Sequence, residues 1–162
     1  MELVIRNIKV EEIDEFASIL REAAEWLKRT DKEMWYTSEL TKEALLEKHA
    51  LNELFMGFLN GESAGTIIVQ GQDYIFWPHK NKNNALYLHK IAVRRKYAKE
   101  GVSVNLINWA KQQARIQQKK YIRLDCAANR PNLCYFYECQ GFQQVGQKTV
   151  GEFFVALYEY QV

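Results

Sequence analysis

The run from Leu86 to Ala114, LYLHKIAVRRKYAKEGVSVNLINWAKQQA, changes its hydrophobic period partway and so dictates a strand followed by a helix. Leu86, Tyr87, Leu88, Ile91, Ala92 and Val93 are apolar or aromatic, broken only by His89 and Lys90. Val102, Leu106, Trp109, Ala110 and Ala114 then recur at helical spacing among the polar Asn105, Asn108, Lys111 and Gln112. Between them, Arg94 to Ser103 is basic and turns on one glycine, Gly101. A helix N-terminus offers unpaired N–H groups and the positive end of a dipole, and glycine lets a ligand approach the backbone. That combination suits an anion such as a pyrophosphate. The loop fits neither G-x-G-x-x-G nor G-x-x-x-x-G-K-[ST], so a dinucleotide fold and a P-loop are both unsupported. A plain strand–turn–helix with a solvated basic loop stays open on these residues alone.

The flanking chain reads as alternating short strands and amphipathic helices. Leu3, Val4 and Ile5 open a first strand. From Glu11 to Lys28, Ile13, Phe16, Ala17, Leu20, Ala24 and Leu27 trace one helical stripe, acidic early and basic late. Ser38 and Thr41 are candidate caps for a second helix reaching about Ala50. Two strands, Leu54–Leu59 and Ala64–Gln70, meet at Asn60-Gly61, a hairpin signal because both residues tolerate positive φ. Gly71 to Ala85 is a long loop with an aromatic cluster and a polar, basic tip. It is either a functional loop or a surface loop pinned by Phe76 and Trp77. Tyr121 to Ala128 alternates as a strand, parallel to the one before the central helix. Asn129-Arg130-Pro131-Asn132 starts a helix over Leu133–Gln140, with Asn as cap and a stop at Gly141. Phe142–Gln147 and Glu152–Tyr160 close the chain as a strand pair.

At 162 residues the chain is read as a single domain over 1–162. Hydrophobic residues make up 48% and charged residues 26%, which excludes a disordered chain. Lys and Arg number 22 against 20 Asp and Glu, too even a balance for a general nucleic-acid binder, so the basic loop is a local feature. No run approaches the ~18 apolar residues of a membrane span, and the N-terminus lacks a signal-peptide pattern. Cys126, Cys134 and Cys139 form no C-x-x-C pair. Free thiols in a reducing cytoplasm are therefore expected, with no metal site.

Two stretches carry a family resemblance. Leu88-His89-Lys90-Ile91-Ala92-Val93 followed by Ala98-Lys99-Glu100-Gly101-Val102-Ser103 resembles motif A of the GNAT superfamily of N-acetyltransferases. Gly101 is strictly in place, while Ala98 stands where Gln or Arg is usual and Ser103 where Gly or Ala is usual. Asn129 to Phe142 is similar to the family's later segment, an Asn after the fifth strand and then a helix ending Tyr-x-x-x-Gly-Phe, met by Tyr137, Gly141 and Phe142. The resemblance implies an α/β (α+β) GNAT fold, a mixed central sheet of about six to seven strands with about four helices. It implies acetyl-CoA as cosubstrate and an amine as acceptor, and leaves room for a homodimer.

The resemblance also implies roles. Backbone N–H groups near Ile91, Ala92 and Val93, where the family strand is bulged, would polarise the thioester carbonyl and bind the pantetheine arm. Ala98, Lys99, Glu100, Gly101, Val102 and Ser103 would cradle the pyrophosphate, with Arg94, Lys96 or Lys99 neutralising charge. Asn129 and Asn132 sit where cofactor contacts are common. Tyr137 would protonate the leaving thiolate. His89 or an ordered water would take the amine proton. Trp26, Trp35, Tyr36, Phe76 and Trp77 are candidates for the acceptor pocket, each equally readable as core. Rival activities are protein N-terminal or lysine acetylation, and a GNAT-fold module that binds CoA without turnover.

Overall fold

The computed structural model describes residues 2–30 and 35–162. Its strands are β1 (Leu3–Asn7), β2 (Leu54–Leu59), β3 (Glu62–Gln70), β4 (Ala85–Val93), β5 (Tyr121–Ala127), β6 (Gln143–Val150) and β7 (Phe153–Gln161). Its α-helices among the described residues are α1 (Ile13–Arg29), α2 (Lys42–Lys48), α3 (Val102–Ile116) and α4 (Pro131–Cys139). The strands form one mixed sheet in the order β1-β2-β3-β4-β5-β7-β6. β4 and β5 run parallel, as a strand–helix–strand run requires, and β7 lies antiparallel between β5 and β6. This is the mixed sheet with four helices that the sequence implies.

The chain divides into two compact units, residues 1–68 with 90–106 and residues 69–89 with 107–162. In the first, α1 buries Ile13, Phe16, Ala17, Ile19, Leu20, Ala24 and Leu27, the expected stripe with Ile19 added. All but Leu27 join Leu54, Met56, Ile68 and Ala92 in one core. Each such large side chain contributes roughly 1.5–3 kcal/mol of burial. Thr41 caps α2, its hydroxyl accepting the Ala44 N–H at 3.1 Å. The β2–β3 turn places Asn60 and Gly61 at φ 52° and 81°, the two positive angles of a type I′ hairpin. Arg6 and Glu12 tie β1 to the start of α1 through two 2.8 Å bonds, and that guanidinium pulls the Glu12 carboxyl down to about 2.

In the second unit Trp77, Ala85 and Tyr87 form a core with Phe76, Tyr121 and Leu157 packed against it. The helix after β5 departs from the sequence reading. It begins at Pro131, its cap position is Arg130, and Asn129 does not cap it. The residue before a proline is pushed toward extended backbone, and Arg130, at φ −119° and ψ 85°, is held outside the helix there. The helix ends near Gly141, at φ 92°, as expected.

Gly65 decides how α3 sits on β3 within the first unit. A Cβ there would lie 2.8 Å from the Ala92 carbonyl oxygen and 3.0 Å from Val102 Cγ1. Gly65→Ala is therefore expected to destabilise the protein by about 1–3 kcal/mol, read as a lower melting temperature. An unchanged melt would show that the backbone of β4 yields without cost.

Candidate active site

The end of β4 is bent by its own backbone. Lys90 adopts φ 50° inside the strand, a left-handed conformation that non-glycine residues seldom take and a mark of a bulge. The fully buried Thr66 hydroxyl donates to the Lys90 carbonyl at 3.0 Å and clamps the distortion. Four residues on, the Arg94 N–H donates to the Ala64 carbonyl at 2.9 Å. Because successive N–H groups of a strand point to opposite edges, those of Val93 and Ile91 turn away from β3, while that of Ala92 turns toward it.

After β4 the chain makes a 3-10 turn over Arg95–Tyr97. The Ala98 N–H donates to the Arg95 carbonyl at 3.2 Å and the Glu100 N–H to the Tyr97 carbonyl at 3.1 Å. Those two amides are thus used inside the turn, and only Lys99 lies between them. Gly101 takes φ 74° and its carbonyl accepts the Asn105 N–H at 3.1 Å, the first bond of α3. The amides of Val102 and Ser103, in the first turn, have no acceptor within the helix. A Cβ at Gly101 would meet nothing nearer than Asn105 Nδ2 at 4.0 Å. Conformation, more than space, calls for glycine there. The buried Val102 anchors the helix, and Ala98 to Gly101 are exposed.

Most cations of the basic loop are already engaged within the protein. Arg94 bonds Glu15 and Glu22 (2.5 and 3.2 Å), the Ser18 hydroxyl at 3.1 Å and the Ser63 carbonyl at 3.1 Å. The Ser63 hydroxyl, and then Arg94, hold the Glu15 carboxyl below the usual carboxylate range. Lys96 pairs with Glu62 at 2.9 Å, and the Tyr97 hydroxyl donates to the same carboxylate. Arg95 stacks its guanidinium 3.9 Å from the Trp26 ring centroid. Of the three cations the sequence offered for phosphate charge, Arg94 and Lys96 are thus paired with carboxylates within the protein, and Lys99 lies exposed beside Gly101.

The acceptor candidates separate by burial. Tyr36 is exposed, whereas Trp35 packs against the core under α1, with Lys90 Nζ 5.8 Å from its ring. Trp26 is half-buried beneath Arg95, and residues 31–34 of the same segment lie outside the described residues. Phe76 is half-buried against the second unit's core. Trp77 is 3% exposed, packed with Ala85 and Tyr87, and has the Arg123 guanidinium carbon 5.5 Å from its ring centroid. That burial ties the loop to the second unit's core.

Tyr137 is buried on α4, its ring edge-on to Phe136 (5.2 Å) and Phe142 (6.0 Å) and tilted against Tyr158 (6.2 Å). Burial, with Cys126 and Asp125 nearby, pushes its hydroxyl well above the ordinary phenol range. Asn129 and Asn132 lie exposed at the entry to α4. Cys126 and Cys134 are free thiols 3.8 Å apart, and Cys139 is exposed. His89 turns its buried Nε2 to Asp73 Oδ2 at 3.5 Å. Sequence reasoning passed over Asp73, although an Asp followed by turn residues is an Asx-turn signal. Its Oδ1 accepts the N–H groups of Ile75 and Phe76, each at 3.0 Å, and organises the loop.

Comparison with known proteins bears on this arrangement. The model of the Acetyltransferase (GNAT) family matches residues 17–142, a span that holds β4, α3 and α4. The uncharacterised N-acetyltransferase YesJ of Bacillus subtilis (strain 168) is 26% identical, over 87% of this chain and 82% of its own. A GNAT-family acetyltransferase structure from Listeria monocytogenes superposes with a TM-score of 0.83 at 24% identity, covering 100% of this chain and 96% of that one. The PaiA N-acetyltransferase of Thermoplasma acidophilum, solved in complex with coenzyme A, gives 0.75 at 18% identity with both chains covered at 100%. The bulged strand, the left-handed glycine and the helix that follows thus lie within a matched segment of 126 residues (17–142), and the chain belongs to the GNAT family of acetyltransferases.

Proposed function

We propose that this N-acetyltransferase moves an acetyl group from acetyl-CoA to a primary amine of a small molecule or peptide, by direct attack in a ternary complex. The observation that carries the reading is the left-handed Gly101 opening α3 directly after the bulged end of β4, inside the family segment. Acetyl-CoA, the cosubstrate of the family, supplies the acetyl group as a thioester, and the coenzyme A complex of the Thermoplasma neighbour supports that choice. The amides of Lys99, Gly101, Val102 and Ser103, with the dipole of α3, hold the pyrophosphate, and Lys99 adds charge. The N–H groups of Ile91 and Val93 bind the pantetheine arm and polarise the carbonyl. Asn129 and Asn132, both exposed, add polar contacts to the cofactor, and the exposed Tyr36 contacts the acceptor.

Tyr137 donates its proton to the departing thiolate and recovers one from solvent. Its raised pKa keeps the donor protonated throughout the working range. Water takes the ammonium proton, because the His89 Nε2 is buried against a carboxylate. Thiol release from acetyl-CoA across polyamines, amino acids, aminoglycosides and short peptides tests the activity and finds the acceptor. No release with any of them would overturn it.

Coenzyme A at about 100 times its Kd should add roughly 2.7 kcal/mol to unfolding free energy. Gly101→Val should weaken binding with the fold retained, measured by calorimetry; parental affinity would remove the loop from phosphate binding. Tyr137→Phe should lower kcat on the order of 10²–10⁴-fold with acetyl-CoA affinity kept. Parental single-turnover rates would leave the ring a packing role only. With an alkyl amine of pKa about 10.4, kcat/KM should climb about tenfold per pH unit from neutrality to pH ~9. A plateau above pH ~6.5, lost in His89→Gln, would return the proton to His89.

A further inference from the structure

We propose that Asp73, His89 and Asp125 form a binding site for a divalent transition ion of the zinc class. Donor atoms from the three, one each, lie within 4.8 Å of one another, all in the second unit. The placement follows from strand register. Tyr87 of β4 pairs with Arg123 of β5, so His89 and Asp125, two residues further along each strand, emerge on one face. Asp73 approaches from the loop between β3 and β4.

The second observation is the state of Asp73. The residue is 7% exposed, and its Oδ1 is fixed by the Ile75 and Phe76 N–H groups. That leaves Oδ2 buried, without a hydrogen-bond partner, and directed at His89 Nε2. A buried carboxylate oxygen with no donor is costly. The 3.5 Å to the imidazole is too long for a normal hydrogen bond. It does match the separation of two ligands on a tetrahedral zinc, about 3.3 Å for bonds near 2.0–2.1 Å. The neighbouring Arg123 does not fill the role, because its guanidinium is committed to Glu159 at 2.8 Å and to the Tyr87 hydroxyl at 2.9 Å.

One imidazole and two carboxylates suit zinc or manganese. Three protein donors are too few for calcium, and without a thiolate they do not favour copper(I). The backbone bonds to Asp73 Oδ1 are the outer support that orients a metal-binding carboxylate. The His89 side chain is 18% exposed and gives the ion a way in. The three residues come from a loop and two strands, far apart in the chain.

The full chain, stripped with a chelator, is titrated with zinc by calorimetry and melted with and without it. One equivalent and a higher melting temperature are expected. Asp73→Asn keeps the Oδ1 acceptor and removes the charge, and His89→Gln removes the imidazole; each should weaken binding by about tenfold or more. Asp125→Asn, outside the loop, gives the same reading if either of those fails to fold. Cys134→Ser should bind as the parent does. No binding at roughly 100 μM zinc, or parental affinity in the Asp73, His89 and Asp125 variants, would overturn the proposal. Neither readout involves acetyl transfer, so the site stands or falls apart from the proposed reaction.

Discussion

A left-handed residue in the middle of a strand costs on the order of 1–3 kcal/mol and persists only where its surroundings hold it. Lys90 carries that conformation in β4, and Thr66 holds it from β3. The geometry downstream follows: which edge the N–H groups of Ile91 and Val93 face, where Arg94 leaves the strand, and where α3 begins. Gly65 lets the same β3 lie against Ala92, Val102 and Leu106. A strand residue without a side chain and a strand residue with a hydroxyl together set the path of the chain into its central helix.

Each unit also has an arginine that ties distant segments together. Arg94 gathers Glu15, Ser18, Glu22 and Ser63 around the end of β4. Arg123 is 3% exposed and joins Glu159 of β7, Tyr87 of β4 and the Lys80 carbonyl of the long loop. Aromatic rings of Trp77, Tyr87 and Tyr121 lie 4.6–5.8 Å from its guanidinium carbon. Such a charge is stable in the interior only while its partners stay. Truncating one partner of a buried pair costs about 3–5 kcal/mol, because the remaining ion is left uncompensated.

The sequence disclosed what depends on local period and on glycine. The stripe of α1, the Asn60-Gly61 turn, the strand and helix around the basic loop and the stop at Gly141 were all visible in it. So was the order of the two family segments. What it could not disclose is where charges find partners. Arg94 looks free in a basic loop until Glu15, 79 residues earlier in the chain, is folded against it. Trp77 looks like a surface aromatic until Tyr87 and Ala85 close over it. Asn129 looks like a helix cap because Asn prefers caps, but the ring of Pro131 assigns that position to Arg130. Asp73 is an ordinary turn residue in one dimension and a buried carboxylate in three.

Because Ala98 and Glu100 turn their amides inward and the start of α3 turns its own outward, the ligand-facing surface proposed here is made mainly of peptide groups. Peptide groups are the same under every side chain. At the proposed pyrophosphate site, a change of side chain at position 98 or 103 would leave those peptide groups in place. Gly101 has no such freedom, since its identity sets the turn itself. A surface built of peptide groups thus tolerates changes of side chain wherever the turn that presents it is kept.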